Sequence, residues 1–246
     1  MKDVMGMGTN RTGLGTSPID AKAIVESAEE GVPVAPGDGA ELAALRGDYV
    51  RSAEPIGTVP PPTTVKGAAT SAVQMLTGKQ PVVLLDKLSA RLAFERTGTR
   101  LYEALLAKMS VAKVPAPVSI ADVRRFHDEE RAHFAMVDRA IERLGGDPTA
   151  QTPAADIEGV ASMGLLQVIS DPRTSVLQSL HALHIAELAD NDSWELLVDL
   201  TTRMGQTEMA AEFQLALKEE AEHLATLRRW LSTAALQEAG VAASGA

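Results

Sequence analysis

The apolar positions between residues 81 and 234 recur every three to four residues, a spacing that predicts four long helices. The first is predicted from Pro81 to Met109. Pro115 and Pro117 then interrupt the pattern. The second starts at Ser119, whose Ser-x-x-Asp sequence is typical of a helix N-terminus, and ends at Gly145-Gly146. The apolar stripe of the first helix is Leu85, Leu88, Leu92, Tyr102, Leu106 and Met109.

The second half of the chain repeats this hairpin. Asp171-Pro172 has the sequence of an N-cap followed by a first-turn proline, so we expect the third helix from there to Gly205. The fourth is predicted from Thr207 to about Leu231, or one turn further. The connection between the two hairpins is roughly 25 residues long and is expected to contain a short helix at 156–169. That length allows the chain to cross from one end of the bundle to the other.

The first 80 residues differ from the rest, because glycine, proline, serine and threonine are frequent. We interpret residues 1–80 as an irregular arm that lies on the main domain or on a neighbouring subunit, or stays free. One short helix is predicted from Ser17 to Glu30, and a turn or two at Ala40 to Leu45. Residues 81–234 form the predicted bundle, and 235–246 a short tail.

The composition excludes several classes of protein. The chain has 246 residues, 45% of them apolar and only 3% aromatic, which favours helices over a β-sandwich. Its formal net charge of -10 argues against nucleic-acid binding. The absence of cysteine excludes disulfides, thiolate zinc sites, iron–sulfur clusters and a rubredoxin-type iron centre. Without a signal-peptide core or a membrane-length apolar run, we expect a cytoplasmic protein with no membrane contact.

Candidate chemistry appears as two Glu-x-x-His motifs, Glu130 with His133 and Glu220 with His223. Each motif places a carboxylate and an imidazole one helical turn apart on an apolar stripe. An unpaired carboxylate is costly to bury, so the stripe needs a compensating charge. Two divalent metal ions would supply it.

The other two helices each carry one glutamate on the apolar stripe, Glu95 on the first and Glu187 on the third. Glu95 precedes Glu130 by 35 positions and Glu187 precedes Glu220 by 33, so two similar hairpins bring each to the level of its partner motif. We therefore expect four carboxylates and two imidazoles to converge, and two divalent ions would balance the four charges.

This pattern, from Leu84 to Trp230, resembles the ferritin-like superfamily, and its spacing is closest to the rubrerythrin and erythrin branch. The resemblance implies an all-α, ferritin-like four-helix bundle with a long crossover between helices 2 and 3. It also implies two iron ions, with manganese as the alternative metal. The implied metal ligands are Glu95 and Glu187 as single ligands, Glu130 and Glu220 as bridging ligands, and His133 and His223.

Several neighbours of this set have open roles. Tyr102, two turns after Glu95, is our candidate catalytic residue, since similar proteins have a tyrosine that contacts the site or passes electrons; the alternative is a core tyrosine. Asp190 stands where rubrerythrin-like members have an extra carboxylate, but its side chain is shorter. His184 is a candidate to support a ligand, and Trp194 is expected in the core.

The remaining polar residues near the motifs are predicted to have no metal role. His127 and His181 are interpreted as boundary histidines. The acidic residues Asp128, Glu129, Glu219 and Glu222 are interpreted as a solvated face opposite the stripe.

The resulting hypothesis is a di-iron oxidoreductase of ferroxidase or peroxidase type, acting on dioxygen or peroxide. Its electron donor is unidentified, because the rubredoxin cysteines of similar proteins are missing. We expect a homo-oligomer, a dimer or larger. Two alternatives remain open: an iron-storage or iron-delivery protein, and a structural or interaction protein whose bundle is stapled by metal without turnover.

Overall fold

A computed structural model describes residues 19, 22–23, 26–27, 39–54, 56–62, 67–68 and 80–241. The chain divides into two compact units, Met1–Glu54 and Pro55–Ala246. In the first unit, α1 spans Ala40–Ser52. The described part of the second unit contains α2 (Pro81–Met109), α3 (Ile120–Arg143), α4 (Pro153–Ala161), α5 (Met163–Ser170), α6 (Val176–Arg203) and α7 (Thr207–Glu238).

The four long helices pack as two hairpins, α2 with α3 and α6 with α7, and α2 also packs against α6. Short connections between packed helices make each hairpin antiparallel. The two short helices α4 and α5 belong to the connection between the hairpins, and both pack against α2. The prediction of an all-α four-helix bundle with a long crossover between its second and third long helices is confirmed.

Local sequence signals account for several helix boundaries. Helix α2 begins at Pro81 and ends at Met109, as predicted. The Ser119 hydroxyl accepts a hydrogen bond of 3.2 Å from the Asp122 N–H at the start of α3. Gly145 and Gly205, just after α3 and α6, have φ angles of 79° and 77°, which only glycine adopts without strain.

The predicted start of the third long helix was wrong. The helix begins at Val176, with Ser175 as its N-cap in a reciprocal capping box with Gln178. Residues 171–174 form a turn instead, because the Asp171 carboxylate accepts from the Arg173 N–H at 2.8 Å. Lys108 also donates to the main-chain oxygen of Asp171 at 3.0 Å, which holds the turn against α2.

Three other predicted lengths differ from the structure. The expected short helix at 156–169 is a pair of helices, α4 and α5, which meet at Ser162. Helix α7 continues to Glu238, about two turns beyond Leu231. The helix expected at Ala40 to Leu45 extends to Ser52.

Some predictions fall outside the described residues. Most of the helix predicted from Ser17 to Glu30 lies there, as do residues 242–246. The arm, bundle and tail boundaries at 80 and 234 stay predictions. Within the described part of the chain, no helix is long and apolar enough to cross a membrane.

Two apolar clusters fill the bundle. One includes Leu101, Leu105, Phe126, Leu180 and Trp230. The other includes Leu84, Leu88, Val137, Trp194 and Phe213. Along α3, α6 and α7, the predicted metal ligands fall between the residues that each helix contributes to the two clusters. On α2, Glu95 lies where the contribution changes from one cluster to the other. Burial of a large apolar side chain stabilises a fold by roughly 1.5–3 kcal/mol, so these clusters offset the cost of a polar layer between them.

Candidate metal centre

The six predicted ligand side chains come together inside the bundle. Each of the four long helices contributes, and every one of these residues is at most 1% exposed. The set is Glu95, Glu130, His133, Glu187, Glu220 and His223. The sequence argument depended on this convergence, and the structure shows it.

The ligand atoms fall into two overlapping groups that share Glu220. One group joins His223 and Glu187 with Glu130 and Glu220, and the other joins His133 and Glu95 with Glu220; within each group the atoms lie within 4.8 Å of one another. A third group includes Glu95, Glu130 and Glu220 as well. Glu220 is common to all three groups and Glu130 to two of them, so these side chains could hold two metal ions close together.

The inward-facing atoms lack the hydrogen-bond donors that buried acceptors need. Both carboxylate oxygens of Glu95, Glu130 and Glu220 have no hydrogen-bond partner. The Nδ1 atom of His133 lies 2.7 Å from Glu220 Oε1, and Nδ1 of His223 lies 3.2 Å from Glu220 Oε2, yet neither contact has hydrogen-bond geometry. Buried acceptors are almost always satisfied, so protons or cations must occupy the space between these atoms.

The other imidazole nitrogens are hydrogen-bonded across the two hairpins. Nε2 of His133 on α3 lies 2.7 Å from Glu219 on α7, and Nε2 of His223 on α7 lies 2.7 Å from Glu129 on α3. The interpretation of Glu129 as a solvated residue was therefore wrong, because its side chain is only 20% exposed. Glu219 is exposed as predicted, at 47%, although its carboxylate also reaches a histidine, and Asp128 is 72% exposed.

These contacts fix the roles of the two ring nitrogens. Each carboxylate accepts a hydrogen bond from Nε2–H, so Nδ1 is the nitrogen that faces the cluster and that can bind a metal ion once its own proton is displaced. Carboxylate–histidine pairs of this kind orient the ring of a metal-ligating histidine and raise its basicity. The signal was available in the sequence, because each motif is preceded by a second glutamate, Glu129 in one and Glu219 in the other.

Burial and crowding raise the pKa values of most of the carboxyl groups. Burial, followed by the charge of Glu220, raises the pKa of Glu187 to about 7. The pKa of Glu130 is raised well above its ordinary value by burial and by Glu220 and Glu95. Burial alone would also raise the pKa of Glu220, but the close contacts with the His133 and His223 imidazoles lower it. Without metal, the cluster must therefore retain protons.

The same charges act in the opposite direction on the imidazoles. Burial would lower the pKa of His133, but Glu220, Glu95 and Glu219 raise it to about 9. Burial would also lower the pKa of His223, but Glu129, Glu187 and Glu220 raise it to about 12. The metal-free cluster thus attracts positive charge strongly, as protons or as metal ions.

Arg91 is a component that the sequence interpretation missed. It is 2% exposed on α2, one turn before Glu95. Its Nη1 lies 2.7 Å from Asp190 Oδ1, and its Nε lies 3.0 Å from Glu95 Oε1, although Nε is not aligned for a hydrogen bond. The guanidinium also lies over the rings of Phe94 and Trp194, at 4.5 and 5.6 Å from their centroids.

The pairing with Arg91 decides how Asp190 contributes to the cluster. Asp190 lies within reach of Glu95, Glu130 and Glu220, so the structure places it at the centre. However, the guanidinium charge of Arg91 cancels that of its carboxylate. The four glutamates thus remain the uncompensated charge that two divalent ions would balance.

Tyr102 contacts the cluster directly. Its hydroxyl donates a hydrogen bond of 2.5 Å to Glu187 Oε1. Burial, followed by the charge of Glu187, raises the pKa of Tyr102 well above its ordinary value. The tyrosine therefore keeps its proton and holds one oxygen of Glu187, leaving the other for the cluster.

The other candidates differ in how close they lie to the cluster. Trp194 is fully buried and packs edge-on against His133, with 5.6 Å between ring centroids. His184 shows no contact with the predicted ligands within the described residues, and its pKa is lowered by burial and by Arg228. His127 pairs with Asp128 and Glu103 instead.

Gly98 makes room for one of the carboxylates. A Cβ atom at this position would lie 2.2 Å from Glu130 Oε2 and 2.9 Å from its Cδ. Only glycine therefore allows the Glu130 carboxylate its observed place beside α2. This requirement was not visible in the sequence, where a single glycine inside a helix has many explanations.

Comparison with known proteins gives one structural similarity. The chain is similar to a solved structure described as a ferritin-like, diiron-carboxylate protein from Bacillus anthracis str. Ames. The two are 20% identical, the match covers 60% of this chain and 94% of that chain, and the TM-score is 0.48. No family model and no curated protein matches the chain.

The bundle and the cluster define the class on their own. Ferritin-like di-metal carboxylate proteins are bundles with one crossover, in which two helices each direct one glutamate inward and the other two each direct a Glu-x-x-His pair inward. This chain has the same features. The protein is a ferritin-like helical bundle with a buried carboxylate–histidine cluster suited to metal ions. Its assignment to the rubrerythrin and erythrin branch stays a prediction.

Proposed function

We propose that the protein binds two iron ions in the buried cluster and is an oxidoreductase that reacts with dioxygen or peroxide. Manganese is the alternative metal, since carboxylate-rich sites suit both. The observation that carries the proposal is the convergence of buried acceptor atoms without donors on four helices. Oxygen and imidazole ligands in this number match a paired site for redox-active divalent ions.

Bound metals would supply the electrons for reduction of the oxidant and a template that orients it. The residues of the chain have separate tasks around them. Glu220 would serve both ligand groups, Glu130 and Glu187 would serve the group of His223, and Glu95 would serve the group of His133. Each histidine would contribute its Nδ1 atom.

Residues around the ligands would keep protons in place and orient the ligand side chains. Glu129 and Glu219 keep the Nε2 protons in place, so the Nδ1 lone pairs stay directed inward. Tyr102 keeps its proton on the oxygen that faces Glu187 Oε1, where it is the hydroxyl group in direct contact with the cluster. We propose Tyr102 as a catalytic residue on the basis of this contact.

The first test is metal content. The protein reconstituted with ferrous ions under anaerobic conditions should bind about two ions per chain, as a paired carboxylate site requires. Glu130→Ala and Glu220→Ala should each abolish paired binding, whereas Asp128→Ala should not, because Asp128 is exposed. Equal losses in all three variants, or no bound metal in the wild type, would reject the site.

The second test separates turnover from storage and structure. Peroxide or dioxygen added to the ferrous protein should produce an absorbing ferric state, and a reductant should return the starting spectrum. A protein that binds two ions but gives no such spectrum would be one in which metal only stabilises the bundle. Uptake of many more than two ions per chain would instead indicate storage.

A further inference from the structure

The crossover helices α4 and α5 are more apolar than their burial explains. More than half of the residues from Pro153 to Ser170 are aliphatic or methionine, yet only Ser162 and Ile169 among them are buried. Four large apolar side chains of these two helices are 40–64% exposed, namely Ile157, Val160, Met163 and Val168. A helix that is apolar on most sides is normally covered on most sides. Nothing among the described residues covers this surface.

Helix α6 extends the apolar surface. Ile185, Leu188 and Leu196 are exposed, and their spacing places them on one side of the helix. Leu196 and Ile157 line the same groove between α4 and α6, so the exposed regions of the two helices are continuous. Single exposed apolar side chains are ordinary on a protein surface, whereas a continuous patch of them marks an interaction surface.

Two opposite charges lie within the same groove. Lys87 of α2 and Glu158 of α4 both line it, and both are half-buried. Neither side chain forms an ion pair within the described residues. Charged groups in partly apolar surroundings favour a partner of opposite sign. One unpaired cation and one unpaired anion in a single patch suit pairing with a copy of that patch, because a two-fold contact joins each residue to its counterpart in both directions.

We propose that the surface formed by α4, α5 and the groove between α4 and α6 binds a second copy of the chain in a two-fold contact. Lys87 of each copy meets Glu158 of the other, and the exposed aliphatic side chains pack around these pairs. A lipid surface is a poorer partner, because α4 and α5 contain no lysine or arginine to meet anionic lipid. The contact requires no bound metal, so it does not rest on the proposed function.

Mass measurements on the full chain test the contact. Sedimentation over a range of concentrations should give the wild type twice the 26.0 kDa mass of one chain. Val160→Glu and Leu196→Glu should each raise the dissociation constant of the dimer by about thirtyfold or more, because each puts a charge into a buried apolar contact. A wild type that keeps the mass of one chain at all concentrations would overturn the proposal.

Leu215→Glu is the matched control for Val160→Glu. Leu215 lies on α7 and is 64% exposed, as Val160 is. This variant should therefore remain dimeric, and circular dichroism should show that both variants keep their helices. Equal loss of the dimer in Leu215→Glu and Val160→Glu would overturn the assignment of the contact to α4, α5 and α6.

The two groove charges provide a second test that replaces no apolar side chain. Lys87→Glu and Glu158→Lys should each weaken the dimer by about tenfold, because each places like charges opposite one another twice. An equimolar mixture of the two variants should associate as tightly as the wild type, since every replaced side chain then meets an opposite charge. A mixture that stays as weak as the single variants would overturn the two-fold pairing.

Vesicles of phosphatidylcholine and phosphatidylglycerol test the alternative occupant. The wild type should not sediment with them, and a monomeric wild type that does so, and loses this binding in Val160→Glu, would assign the surface to lipid. Iron content measured on the same samples keeps the two proposals apart. A dimer that is lost in Val160→Glu with unchanged iron supports the contact, and a dimer in protein that takes up no iron would retain the contact and reject the proposed function.

Discussion

Replacing Gly98 with alanine should separate metal binding from folding. The new Cβ would lie 2.2 Å from Glu130 Oε2, whereas ordinary contact begins at 3.4 Å. The carboxylate would therefore have to move by about 1.2 Å. Metal ligands must be held within roughly 0.5 Å of their working geometry, so a shift of this size is too large for the site.

The fold should tolerate the same change. The atoms in the way belong to the end of a flexible side chain, and alanine is about 1 kcal/mol more favourable than glycine inside a helix. We therefore expect the metal-free Gly98→Ala protein to unfold at a temperature close to that of the wild type. Its metal affinity should fall by about 10–100-fold, the range found when groups that support a ligand are lost.

Gly159→Ala is the matched control. Gly159 also lies within a helix, but a Cβ there would meet no atom within 4 Å. This variant should gain about 0.5–1 kcal/mol of stability and keep its metal. Thermal unfolding of the metal-free proteins and calorimetric titration with metal measure both effects. Wild-type affinity in Gly98→Ala would show that glycine is not needed to place Glu130.

Three further predictions concern the groups around the ligands. Glu129→Ala and Glu219→Ala should each lower metal affinity by about 10–100-fold in a metal titration, whereas Asp128→Ala should have little effect. Metal uptake should release protons and become tighter as the pH rises from 6.5 towards 9, because metal must displace the proton that His133 holds with a pKa of about 9. The same proton stabilises the metal-free protein, so its unfolding temperature should fall as the pH rises through about 9. Calorimetry in buffers of different ionisation enthalpy would measure proton release, and thermal scans would measure the unfolding temperature. Metal affinity should rise with pH while the unfolding temperature falls, and metal uptake without proton release would contradict this account. Tyr102→Phe should keep two ions per chain but slow oxidation of the ferrous protein in stopped-flow measurements, and an unchanged rate would assign the tyrosine to packing alone.

The architecture could be predicted because its signals are local. Apolar spacing identified all four long helices, and proline or serine marked the starts of α2 and α3. The six predicted ligands were visible because charged residues on an apolar stripe contradict the pattern around them. Where two local signals competed, the prediction failed: Asp171-Pro172 and the Ser175–Gln178 capping box both suit a helix start, and only packing against Lys108 decides between them.

The surroundings of the cluster were harder to predict, because they depend on contacts across the bundle. Arg91 lies on the same stripe as Leu88 and Glu95, yet its partner Asp190 is 99 positions away in the chain. Glu129 appeared to face solvent because the helical pattern gives the direction of a Cα–Cβ bond but not the reach of a long side chain. The close approach of Gly98 to Glu130 likewise depends on how two helices pack.

The crossed pairs Glu129–His223 and Glu219–His133 make each hairpin incomplete without the other. Neither half could orient its own imidazole, so separately expressed halves should bind metal weakly until they associate. In the intact chain both pairs are in place without metal, so a change in either hairpin reaches the histidine supplied by the opposite one.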